Sequence, residues 1–92
     1  MSHRELREDE HYEIAVSTNG DTLWVNGEDG TCWARFSKRW GIDVHRSEAM
    51  GDAPHCLYCT HGRTTAADWQ TFRAEVLKHH GVEIAVDALA FP

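Results

Sequence analysis

Apolar and polar positions change rhythm three times along this chain. Through residues 1–10, MSHRELREDE, the one sizeable apolar side chain after the initiator is Leu6. The segment has no face to bury and is expected to be a flexible acidic tail. From His11 the rhythm is two. In HYEIAVS, Tyr12, Ile14 and Val16 alternate with His11, Glu13 and Ala15, the pattern of a half-buried strand. Asn19-Gly20 follows, a pair suited to a tight hairpin, and TLWVN then reads as a second, antiparallel strand.

After the acidic turn NGEDG, alternation resumes in TCWARF, with Cys32, Ala34 and Phe36 expected on one face and Trp33 and Arg35 on the other. Trp24 and Trp33 are then expected to pair across an outer face. The simplest outcome is a three-stranded meander, extended by a short strand at Ile42 and Val44 behind Gly41. From Ser47 to Arg63 the rhythm is lost. So long a loop in a small domain needs something to organise it.

Helical spacing appears after Thr65. Thr65 and Asp68 resemble a capping box, Trp69, Phe72, Val76 and Leu77 form an apolar stripe, and Gly81 is placed to end the helix. In VEIAVDALAF, Val82, Ile84 and Val86 alternate as a last strand would. The sum is an α+β domain over residues 11–92: an antiparallel sheet, made of the meander plus one or two further strands, packed with one helix from the C-terminal half.

Composition narrows the options. With 92 residues, 41 % hydrophobic and 26 % charged, the chain suits one modest core. No apolar run is long enough to span a bilayer and the N-terminal residues are polar, so the expected location is the cytoplasm. The net charge of −6 argues against general duplex binding and leaves two readings, an acidic face offered to a basic partner or charge that only keeps the chain soluble. Within that balance RFSKRWGIDVHR is basic, and Arg35, Lys38, Arg39 and Arg46, interleaved with Phe36 and Trp40, could track a single nucleic-acid strand or only decorate a strand edge.

The candidate chemistry lies in HCLYCTHG, residues 55 to 62. Cys56 and Cys59 have the spacing of a zinc knuckle, His61 is a candidate third ligand, and His45 is preferred over His55 or Cys32 as the fourth, because it would tie the long loop to the sheet. Two other readings stand beside zinc: buried thiols holding the loop down, or a redox pair. With an odd cysteine count and no export signal, thiols or ligands are expected rather than bridges. Cys32 is expected to be a core thiol, and His79 and His80 to complement the helix dipole. No phosphate loop, nucleophile elbow or paired-carboxylate motif appears, so the chain reads as a binder and not an enzyme.

WVNGEDGTCWARFSKRWGIDVHR followed by CLYCTHGRTTAADWQTFRAEVLKHHGVEI resembles small uncharacterised proteins encoded by bacteria, phages and prophages. In size and charge the chain is similar in type to anti-CRISPR and related inhibitors of host defence. That resemblance implies a non-enzymatic protein that occupies a surface of a larger protein or nucleoprotein complex. Its expected contacts are Trp24, Glu28, Asp29, Trp33 and Trp40, since aromatic anchors among charges make a binding surface. The alternative is a zinc-stabilised accessory domain touching nucleic acid through residues 35–46.

Overall fold

The computed structural model describes residues 11–28, 30–45 and 56–91. It contains five strands, β1 (Tyr12–Val16), β2 (Thr22–Gly27), β3 (Cys32–Ser37), β4 (Gly41–His45) and β5 (Cys56–Cys59), then one helix, α1 (Ala66–His80). The strands form one antiparallel sheet in the order β1-β2-β3-β4-β5, and the helix packs on one face of it. The architecture is α+β.

Local chemistry sets the joints. At the β1–β2 hairpin the Ser17 hydroxyl accepts from the amides of Asp21 (3.1 Å) and Thr22 (3.0 Å). Both halves of the capping box are made at Thr65 and Asp68, and Gly81, in the left-handed region at φ 71°, donates its amide to Leu77. The helix buries Trp69, Phe72 and Val76 against Leu23, Val25, Ala34, Phe36, Ile42 and Val44 of the sheet. Each such side chain contributes about 1.5–3 kcal/mol on leaving water, so this layer is the stable platform on which the other face is carried.

Three expectations are corrected. First, the second additional strand comes from the long loop, as β5, and not from the C-terminal segment. Val82 and Ile84 are buried, as their alternation suggests. Yet that segment takes its hydrogen bonds from side chains: Trp69 Nε1 donates to the Val86 carbonyl (2.8 Å) and Arg73 Nε to that of Ile84 (2.7 Å). It then closes in a 3-10 turn, Val86–Ala88, with Val86 exposed.

Second, Trp33 lies on the helix face. The β2–β3 register jumps from Val25↔Ala34 to Asn26↔Cys32, so Trp33 is the extra residue of a bulge and is carried to the same side as Ala34. There it is 6 % exposed and stacks on the buried His80 (ring centroids 5.2 Å, planes 11° apart). Trp24 accordingly faces Arg35 across the strands, not Trp33. Third, the same bulge turns Cys32 out of the core: it is an exposed free cysteine.

Among the described residues no helix is long and apolar enough to cross a membrane.

Candidate metal centre on the open face of the sheet

Because side chains alternate along a strand, the sheet's register sorts them into rows. One row, Ile14, Val25, Ala34, Val44 and Tyr58, faces the helix side. The next, Ala15, Trp24, Arg35, Asp43 and Cys59, crosses the opposite face, which the other described elements leave open. His45 follows Asp43 by two residues on β4 and therefore joins it. Trp24, Cys32, Arg35, Asp43 and His45 line a shallow recess of about 330 Å³.

Among the described residues of this face, one group converges. A carboxylate oxygen of Asp43, a ring nitrogen of His45 and Sγ of Cys59 all lie within 4.8 Å of one another. The two oxygens of Asp43 are divided: Oδ2 pairs with Arg35 Nη2, and Oδ1 lies 3.9 Å from His45 Nε2. Cys59 is bonded to Cys56 in a disulfide whose Cα atoms are 6.2 Å apart. The pair is thus bridged where unbridged sulfurs were expected: the β4–β5 register shifts between Val44 and His45, which puts Cys56 and Cys59 on one face, and both sulfurs must be reduced before they can act as zinc ligands.

β5 is held in place by the start of β4. Gly41 has φ +117°, and a Cβ there would lie 2.2 Å from the Thr60 carbonyl oxygen. That close approach lets the Thr60 amide donate to the Ile42 carbonyl (2.9 Å), while the Ile42 amide reaches the Thr60 carbonyl (3.3 Å) and hydroxyl (3.2 Å). The register beyond it then sets Cys59 opposite Asp43 and Cys56 opposite His45.

The ligands named from the sequence are only partly assembled. Cys59 and His45 meet, with Cys56 bonded alongside. His61 is exposed past the end of β5 and is not among the converging atoms; Asp43 takes that place. The signal for Asp43 was present in the sequence: Asp-x-His on a strand puts both side chains on one face. His55 lies outside the described residues. Cys32 shares the recess without joining the group. Its thiol donates to the Ala34 carbonyl (3.4 Å), and burial pushes its pKa up despite the nearby Arg35.

Of the expected partner contacts, Trp24 is half-buried in the recess, while Glu28 and Trp40 are exposed in turns at opposite ends of the sheet. Trp33 is buried beneath the helix and offers no surface. Asp29 and the acids of the N-terminal tail lie outside the described residues. Among the described residues the basic stretch does not form one patch. Arg35 is paired with Asp43, and Lys38 bonds the Ala90 carbonyl and sits over the Phe91 ring (4.8 Å). Arg39 is exposed, and Arg46 lies outside the described residues.

Comparison with protein-family models, curated proteins and solved structures finds no match.

Proposed function

We propose that this chain is a small non-enzymatic binding domain whose open sheet face is fastened by one zinc ion. In the reduced protein the thiolates of Cys56 and Cys59, the imidazole of His45 and the Asp43 carboxylate supply four ligands, the number a closed structural zinc site takes. The observation that carries this reading is the convergence of Asp43, His45 and Cys59 within 4.8 Å, beside a second cysteine. Arg35 supports it. A ligating carboxylate is held in place by an outer partner, and Arg35 occupies one oxygen of Asp43 while leaving the other toward His45.

Zinc there would join the last two strands, and the neighbouring recess around Trp24 would be the contact surface for a larger protein or nucleoprotein complex. An aromatic ring beside an ion pair gives such a surface an anchor and a register. The inhibitor-like role implied by the resemblance to mobile-element proteins belongs to this proposal. The competing nucleic-acid reading has less support, because Arg35 and Lys38 are already engaged.

The test is metal content. After reduction, zinc loading and removal of free metal, the protein should hold close to one equivalent. Cys59→Ser and His45→Ala should lose it, and His61→Ala should keep it. Less than about half an equivalent in the reduced wild type, against the full occupancy expected of a structural site, would overturn the proposal.

A further inference from the structure

The opposite edge of the sheet carries a second surface, independent of the metal centre. β1 is an edge strand, and Tyr12, Ile14 and Val16 lie on the helix side of the sheet opposite Gly27, Val25 and Leu23. Among the described residues no element covers them as the helix covers their partners. They are 39 %, 37 % and 45 % exposed, whereas Leu23 and Val25 are fully buried.

Among the described residues the backbone at the same three positions is also open. The Ser17 amide donates to the Thr22 carbonyl (2.9 Å), and hydrogen-bonded and non-hydrogen-bonded pairs alternate along an antiparallel ladder. Ala15 and Glu13 therefore face β2 with their amides and carbonyls, while those of Val16, Ile14 and Tyr12 point outward. The Gly27 amide agrees, bonding Thr31 on the β3 side instead of Tyr12. β1 contains no Lys, Pro or bulge, the devices that usually block an open edge.

We propose that β1 is the seam of a homodimer, in which the β1 strands of two copies pair antiparallel about a two-fold axis at Ile14. The sequence is self-complementary in that register. Ile14 meets Ile14 of the second copy with both backbones exchanging hydrogen bonds, and Tyr12 meets Val16 twice, an aromatic against a β-branched side chain, which is a favourable cross-strand pair. Glu13, the one acid of the strand, falls opposite Ala15 and not opposite itself, so no like charges meet. Six apolar side chains then form one continuous strip along the helix side of the joined sheet. A joint of five residues a side is smaller than a standard interface, so association is weak and concentration-dependent.

Sedimentation of the full chain tests this. The wild type should pass from monomer to dimer between about 10 µM and 1 mM, the range of a weak interface. Ile14→Lys, a change at an exposed edge position, should leave circular dichroism unchanged and remove the dimer. Ala15→Lys places a cation opposite Glu13 twice and should tighten the dimer at least about threefold, while Ala15→Glu should loosen it. Those two variants decide the register even if Ile14→Lys folds poorly. A chelator should change none of this, since the metal ligands sit on β4 and β5. A monomer throughout, or a dimer indifferent to position 15, would overturn the proposal. So would an edge that pairs only with strands of other proteins.

Discussion

Trp33 depends on the absence of an atom at Gly27. A Cβ added to Gly27 would lie 2.6 Å from Trp33 Nε1 and 2.9 Å from the neighbouring ring carbon. The indole is held between that backbone and His80, so it has little room to yield. Gly27→Ala is therefore expected to destabilise the fold by about 1–3 kcal/mol through overpacking, read as a lower urea midpoint. Removing the indole as well should recover part of the loss, because residues in direct contact are not additive. At Cys32 the expectation concerns reactivity. The thiolate is the nucleophile, and burial raises the Cys32 pKa from its ordinary value of 9.0. Alkylation of this exposed thiol should be slow at neutral pH and accelerate only in clearly alkaline solution. A raised thiol pKa also means that its contribution to stability is complete below the unfolded-state pKa and is lost as pH rises through the folded-state value. Rapid labelling at pH 7 in a Cys56→Ser/Cys59→Ser background would contradict both statements.

Among the elements, β5 is the one whose existence turns on a contact distant in sequence. Gly41→Ala would set a Cβ against the backbone oxygen of Thr60 at a residue with φ +117°, combining a clash with a strained conformation. It should release β5 from β4, cost more than about 3 kcal/mol and abolish zinc retention. A variant that keeps zinc would mean that Gly41 does not position the ligands. This dependence explains why β5 was hidden in the sequence. CLYC has no alternation to read, and its pairing requires Gly41 and Thr60, nineteen residues apart. β1, β2 and α1 were legible because their signals are local: a two-residue rhythm around Asn19-Gly20, and a stripe bounded by Thr65 and Gly81. The C-terminal segment was half legible. Its burial follows from alternation, but its hydrogen bonds depend on Trp69 and Arg73, which no periodicity reports. The bulge at Trp33 reversed that residue's face, and Gly27 opposite was its one trace. Of the metal centre, the cysteine pair and His45 were visible and Asp43 was not, because a zinc-knuckle pattern points to Cys and His and does not single out a carboxylate on the neighbouring strand.

At the scale of the whole molecule, the two faces of the sheet divide the work of stability. The helix face is packed by Phe36, Trp69, Phe72 and the C-terminal segment, and apolar burial holds it. The open face has an ion pair, a recess and the cysteine pair, so a metal bound there should add to stability in proportion to its affinity. At free zinc one hundred times the dissociation constant the gain is about 2.7 kcal/mol. For a domain of this size that corresponds to a rise of roughly 10–20 °C in melting temperature. The rise should require prior reduction, because the sulfur atoms of a Cys56–Cys59 disulfide are not thiolate ligands. It should also fade as pH falls, because the ligands must be deprotonated to bind. Arg35→Ala, which removes the outer partner of Asp43 while leaving every ligand in place, should weaken zinc about 10–100-fold with little change in the melting temperature of the metal-free protein. Calorimetric scans of reduced and oxidised protein, each with and without zinc, separate these terms. If the oxidised form gains as much as the reduced form, zinc is bound elsewhere and the open face has no part in holding the fold.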